Sequence, residues 1–549
     1  MKKFTTITKD KREGEKTLRV TNFMGGNSFE LHSAVDTMKM ITASSIFAEP
    51  SYYRDGEFTD AKIKDALYRV DSLVAEYSIL DDDKYSGKKT SEIMEMVIDD
   101  ALTEDFGKTL DWAVELRTKY MMRLNPQVIM VRAANHPSRS AWTKENPGKF
   151  AEYEEKVMSR ADEPAVQTSY QLYRYDGKAK FPGILKRSIA SKLSSLDRYH
   201  VAKYKNAEIG MIDTARICHA SSDVLSELMK TGAVKVSESE KTWENLRSEG
   251  KTWMEILKTI RMPHMALLRN LRNIFTEIDD AGHTKEICNE LISGVPTGKQ
   301  FPFRYYTAYK MLEHTDIYHK ALVLDALESC MDKSLENMPS LKGKTMVLSD
   351  NSGSAWGTCN SEYGTVTVAE IGNLSAVITA MLSDEGYVGV FGDRLEIIPI
   401  SKRNGVLAQM KTVTEKGKHV GSGTENGIWL FWDKAITSAE HWDNVFIYSD
   451  MQAGHGGLYG LNARDYAEYT VHHSYIDVMK LLSKYRSTVY GKINVFSVQT
   501  AGYTNVVIPE YCYRSNILYG WTGKEVLFAD AIIKMWDSVE ADKEKASKQ

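Results

Sequence analysis

At 549 residues, 42% hydrophobic and 26% charged, the chain has the composition of an ordinary folded protein and is too long for one core, so two domains, or a helical array plus a domain, are expected. Five cysteines (Cys218, Cys288, Cys330, Cys359 and Cys512) without C-x-x-C spacing exclude a disulfide framework and a zinc ribbon, and fit reduced core thiols. The N-terminus has no apolar signal region and no run approaches transmembrane length, so a cytoplasmic protein without a membrane partner is expected; the net charge of −4 argues against nucleic acid only until its distribution is read.

Residues 1–19 are a charged N-terminal extension. From about residue 30 to 335 the chain reads as helix after helix. Apolar residues at i, i+3, i+4 spacing predict helices over 33–48, 60–77, 90–102, 108–124, 147–161, 183–196, 211–220, 224–230, 253–258, 262–274, 284–291 and 303–312. Many short helices with brief connections and no fixed period predict a solenoid of degenerate, HEAT-like helix pairs. Charge is uneven along it: residues 171–220 hold roughly ten Lys or Arg against about four acids, and 251–275 about five against one. Such asymmetry is the footprint of a basic binding face, although each cluster alone also reads as a solvated helix surface.

Beyond residue 340 the pattern changes to apolar strands alternating with helices, which predicts a parallel sheet covered on both faces. The run Thr345–Ser349 ends in Asp350-Asn351-Ser352-Gly353-Ser354, where a carboxylate and two hydroxyls on a turn folded back at Gly353 can face one hard cation. A helix over 366–382 and strands over 387–391 and 395–400 follow. Next come Thr424, in the loop Gly421-Ser422-Gly423-Thr424-Glu425-Asn426-Gly427, and Asp450, at the end of the run Asn444–Ser449. A helix over 475–485 and a strand over 492–498 close the domain, and the charged residues 540–549 are expected to be disordered. In this order the parts resemble the metal-ion-dependent adhesion site of a von Willebrand factor A domain. That likeness implies Asp350, Ser352, Ser354, Thr424 and Asp450 as ligands of a divalent metal, Mg²⁺ by its oxygen donors, with a partner's carboxylate completing the shell. A dehalogenase-type phosphatase is excluded because Ser352 stands where its general acid belongs, and no phosphate-binding G-x-x-x-x-G-K-[ST] or H-E-x-x-H is present. His455, His472 and His473 fall in a Gly- and Tyr-rich stretch and read as solvated.

Several stretches carry a wider likeness. Met262-Pro263-His264-Met265-Ala266-Leu267-Leu268-Arg269-Asn270-Leu271, Lys186-Arg187-Ser188-Ile189-Ala190, Lys203-Tyr204-Lys205, Asp213-x-x-Arg216-x-x-His219 and Pro302-Phe303-Arg304 resemble the TROVE-domain proteins of the Ro 60 kDa autoantigen family, bacterial or phage homologues included. The resemblance runs from about residue 20 to about 535. It implies a HEAT-like helical ring, the TROVE domain, over 20–340, a Rossmann-like von Willebrand A domain over 341–535, and a tail over 536–549. It further implies a ribonucleoprotein of RNA quality control and maturation, not an enzyme. Its partners would be small noncoding Y-like RNA, single-stranded 3′ ends of misfolded RNA and a 3′-to-5′ exoribonuclease. Lys186, Arg187, Lys203, Lys205, Arg216 and His219 match RNA-binding positions, as does Arg269, while Arg269 and Asn270 also admit a structural reading as ion-pair and capping residues. Where animal members carry Trp-Ser-His the chain has Ile209-Gly210-Met211, a loss of contacts for a Y-type RNA, and Glu425 replaces the usual Asp. The alternative from another class is a metal-dependent protein-interaction scaffold without RNA function. An RNA-processing enzyme would need clustered acid and base groups, which the helical stretch lacks.

Overall fold

The structure is a computed structural model, and it describes residues 19–21, 27–30, 34–43, 90–119, 122–175, 181–206, 209–237, 241–361, 364–422, 427–449, 451, 476–499, 505–508, 513–519 and 525–546. These fall into two compact units, one of residues 34–43 and 90–262, the other of residues 19–30 and 263–546.

The first unit is helical: α1 (Ala34–Ala43), α2 (Thr90–Glu104), α3 (Phe106–Thr118), α4 (Asn125–Asn135), α5 (Arg139–Glu145), α6 (Lys149–Val157), α7 (Glu163–Arg174), α8 (Gly183–Ser194), α9 (Arg198–Tyr204), α10 (Met211–Cys218), α11 (Asp223–Thr231), α12 (Trp243–Ser248) and α13 (Trp253–Thr259). Side-chain caps start many of them: Asp105, Asp197 and Ser222 each accept a backbone N–H three residues on, and Thr242 and Thr252 close reciprocal capping boxes. Packing is between near neighbours, α3 on α4 and α6, α4 on α7, α8 on α10, and α9 on α11.

In this unit helices α4, α5, α7, α9 and α12 lie where periodicity predicts none, and the reason is visible in two of them. Helix α4 is buried on almost every side, from Asn125 through Val131, so it has no polar stripe to read. Helix α7 turns Glu163, Gln167, Thr168 and Gln171 inward, which inverts the usual pattern. These groups are buried because they have partners. Arg132 makes a paired contact to Asp99 and donates to Tyr170 (3.0 Å), Tyr170 donates to Glu95 (2.5 Å), and Arg117 pairs with Glu163 at 2.8 Å.

The second unit begins with strands β1 (Arg19–Thr21) and β2 (Asn27–Glu30) and continues from residue 263 with α14 (His264–Phe275), α15 (Ala281–Ser293), α16 (Val295–Gly298), α17 (Pro302–Glu313) and α18 (Lys320–Ser334). There follow β3 (Leu341–Asp350), the hairpin β4 (Thr358–Ser361) and β5 (Gly364–Thr367), α19 (Val368–Met381), β6 (Ser383–Phe391), β7 (Leu395–Ile400), α20 (Val406–Gly417), α21 (Gly427–Thr437), β8 (Asn444–Ser449), α22 (Val478–Thr488), β9 (Asn494–Gln499), β10 (Asn505–Val506), β11 (Ser515–Tyr519) and α23 (Glu525–Ala546). The main sheet has the order β11-β9-β8-β3-β6-β7. All neighbours are parallel except β7, an antiparallel edge strand on β6, because the two join directly without a crossover helix. From β3 the chain moves outward to β6 and β7 and then returns to the other side at β8, so the carboxyl end of β3 is a topological switch point.

Three features differ from the sequence expectation. Residues 19–21 and 27–30 form strands, with β2 paired to both β1 and β10. Helices α14 to α18 belong to the same compact unit as the sheet, so the units divide at 262/263 rather than 340/341. The tail expected from 536 is helical through Ala546: Trp536 stacks on Phe496 at 5.7 Å and Asp537 pairs with Arg514 at 2.6 Å, which anchors a segment of charged composition. Cys218, Cys288 and Cys330 are buried free thiols, and burial pushes them up to about 11, 11 and 12 respectively, as core thiols.

Candidate functional site

Two groups of residues stand out, one in each unit. In the second unit Asp350 ends the central strand and is only 4% exposed. The turn that follows reverses through a single 3-10 turn over Gly353–Trp356, with no left-handed glycine at 353. Asp350 accepts the Ser352 N–H on Oδ1 (2.9 Å) and the Ser449 hydroxyl on Oδ2 (2.8 Å). The hydroxyl oxygens of Ser352 and Ser354 lie 3.3 Å apart. Adjacent ligands of an octahedral Mg²⁺ are about 3 Å apart, a spacing close to that of these two hydroxyls. Among the described residues no three His, Cys, Asp or Glu side chains cluster.

Thr424 and Asp450, the two other expected ligands, and Glu425 lie outside the described residues. Their flanks converge on the turn. Gly353 donates its N–H to Ser422 O (2.8 Å), and Ser422 donates its own to Asp393 Oδ2 (3.3 Å). Gly421 at φ +94° is left-handed, and a Cβ there would lie 2.1 Å from Asp393 Oδ2, so only glycine permits that approach. On the other side Met451 donates to Ser449 Oγ (3.0 Å), the hydroxyl already bound to Asp350. Sequence reasoning missed Ser449, although Tyr448-Ser449-Asp450 places it beside a named ligand. His455, His472 and His473 also fall outside the described residues.

In the first unit the expected RNA-binding residues sit on three consecutive helices. Lys186 and Arg187 are on α8, Lys203 on α9 with Lys205 at its C-cap, and Arg216 on α10 with His219 at its C-cap. Helix α8 packs on α10, and Lys186 acts electrostatically on Cys218 there, so these two pairs are neighbours. Lys186 is half-buried, its ammonium 5.6 Å from the Phe181 ring, while Arg187 is exposed. Lys203 lies over both Tyr199 (5.6 Å) and Tyr204 (5.5 Å), a cation beside two aromatic rings. Arg216 is exposed and 3.9 Å from Asp213. His219 takes a left-handed conformation (φ 60°) that ends α10. Two cations of the basic stretch are committed elsewhere, Arg174 to Glu95 and Arg198 to Glu227 at 2.7 Å. Among the described residues Arg187 and Lys205 make no ion pair.

Arg269 is exposed on α14, in the second unit, and among the described residues makes no ion pair. Asn270 is buried and donates to the Ala266 carbonyl (2.9 Å), so its place in the motif is structural. His264, at the head of the same helix, meets Tyr305 OH at 2.7 Å, which joins the Met262–Leu271 segment to the residue directly after Pro302–Arg304.

Residues 229–333 match the TROVE domain family. Over this stretch the chain resembles TROVE-domain proteins, and its fold is similar to that of a Ro protein. Among solved structures it resembles the Ro (RSR) protein of Deinococcus radiodurans, at 13% identity and a TM-score of 0.54, over 79% of this chain and 92% of that one. No curated protein sequence matches the chain. The TROVE match begins on α11, directly after the basic helices, and ends on α18 just before β3. A helical array leading into a mixed α/β sheet is therefore the architecture it shares with the Ro structure.

Proposed function

We propose that this chain is an RNA-binding protein that acts without catalysis, in ribonucleoproteins of RNA quality control and maturation in the cytoplasm. The observation that carries the reading is the TROVE match over 229–333 beside the exposed or half-exposed cations of α8 to α10. Lys186, Arg187, Lys205 and Arg216 would contact phosphates, and Arg269 would do so from the second unit. Lys203 with Tyr199 and Tyr204 would add stacking against unpaired bases. Single-stranded 3′ ends of misfolded RNA suit such contacts, which read backbone and exposed base faces rather than sequence. A small Y-like RNA is a second partner, and Ile209-Gly210-Met211 narrows the outer contacts available to it.

At the end of β3, Asp350, Ser352 and Ser354 would hold a divalent ion, Mg²⁺ by donor chemistry, with Thr424 and Asp450 as the remaining protein ligands. An open position there would take a carboxylate from a protein partner, and a 3′-to-5′ exoribonuclease working on the same RNA fits the role. The test is a gel shift across a salt series with an RNA bearing a single-stranded 3′ tail, against the same RNA fully duplexed. Tail-dependent binding that weakens steeply with salt is expected. No binding to either RNA at low salt would overturn the proposal and leave the metal-dependent scaffold.

A further inference from the structure

Asn351, the residue between Asp350 and Ser352, is fully buried and points into the fold, where it meets an equally buried Asn373 of α19. Their amides bond reciprocally: Asn351 Nδ2 donates to Asn373 Oδ1 and Asn373 Nδ2 to Asn351 Oδ1, both at 2.9 Å. The remaining capacity is also used. Asn351 Nδ2 donates to Ser349 O (3.0 Å), Ser349 Oγ donates to Asn373 Oδ1 (2.8 Å), and Asn373 Nδ2 donates to Thr414 Oγ1 of α20 (3.3 Å). The backbone of α20 is cut to fit: a Cβ on Gly417 would lie 2.1 Å from Asn351 Oδ1. Strand β3 and helices α19 and α20 thus meet at one saturated amide pair directly behind the Asp350 turn.

A buried polar pair of this kind adds little net stability over apolar groups of the same shape, but it accepts only one geometry. Asp350 and Ser352 flank Asn351 on the chain, so fixing Asn351 and Ser349 against Asn373 fixes the backbone from which Asp350 and Ser352 project. We propose that Asn373 is a positioning residue for the cation site: through Asn351 it sets the direction in which Asp350 and Ser352 present their oxygens. The inference rests on the reading of that turn as a divalent-cation site.

Mn²⁺ serves as the probe, its binding to the full chain measured by calorimetry, with thermal melts of the metal-free protein alongside. Asn373→Leu is expected to weaken Mn²⁺ binding about tenfold while the protein still melts cooperatively. Thr414→Val, which removes the outermost bond of the set and nothing else, is expected to weaken it two- to threefold without moving the melt, and carries the test should Asn373→Leu fail to fold. Unchanged Mn²⁺ affinity in the folded variants, whatever the shift in melting temperature, would reduce the amide pair to a packing role and overturn the inference. If the unaltered chain binds no Mn²⁺, the cation reading itself fails.

Discussion

Asp350 is a buried carboxylate at the end of the central strand, held by the Ser352 backbone N–H and the Ser449 hydroxyl. Such a group is poised for a cation, and the first prediction follows. Asp350→Ala abolishes Mg²⁺ or Mn²⁺ binding in a calorimetric titration and leaves RNA affinity within about twofold; an equal loss of RNA affinity would show that the metal turn and the RNA surface are one site. Lys186 is different in kind. It is half-buried, its ammonium lies 5.6 Å from the Phe181 ring, and a lysine acts as a point charge. In Lys186→Ala, RNA binding should fall uniformly across sequences, and the slope of log affinity against log salt should shrink by roughly 0.7, the contribution of one single-strand phosphate. A sequence-dependent loss would instead mean that Lys186 reads bases.

Elements, rather than residues, explain the buried acids of the helical unit. Glu154 of α6 is 1% exposed, and its hydrogen bond comes from a neutral group, Gln167 Nε2 at 2.8 Å, which also bonds Gln127 of α4 at 2.8 Å. Burial without a cation pushes its carboxyl up to about 7. The folded state therefore holds a proton that the unfolded chain releases near pH 4.5. The stabilisation from that proton is complete below about pH 4.5, declines as pH rises, and is gone above about 7, a change on the order of 3 kcal/mol. Urea melts of Glu154→Gln between pH 5 and 8 should show most of this slope removed; a slope identical to that of the parent would place the titration elsewhere. Packing also explains what the periodicity of the sequence conceals. Amphipathic helices such as α14, with Leu267, Leu268, Leu271, Ile274 and Phe275 inward and Arg269 and Arg272 outward, are legible from spacing alone. Helices α4 and α7 are not, because their hydrophilic side chains find partners inside. His219 is a related case: matched to an RNA-binding position by sequence, it also occupies a left-handed cap that only the backbone geometry discloses.

For the whole molecule the division at 262/263 has a consequence. Helices α17 and α18 join the sheet's outer helices through Lys310 to Glu370 (3.3 Å), the Val406 N–H to Asp332 (2.8 Å), and Lys411 over Tyr309 (5.7 Å). A fragment beginning at 341 strips these away and bares the apolar faces beneath, whereas one beginning at 263 keeps them. Urea unfolding should be cooperative for residues 263–549 and broad, with a lower midpoint, for 341–549; equal midpoints would restore the boundary at 340.

What the sequence determined by itself was what depends on neighbours along the chain. Helical spacing, the change to near-continuous apolar strands after 340, and Asp350, Ser352 and Ser354 on one turn are local patterns, and each is present in the fold. Tertiary structure decided what depends on partners far away in sequence. It set β7 antiparallel at the edge, paired residues 29–30 with 505–506, committed Arg174 and Arg198 to ion pairs, and placed Ser449 and the Asn351–Asn373 amides around Asp350. A buried polar group is tolerated only where another completes its hydrogen bonds, and no local pattern names a partner 22 or 99 residues distant.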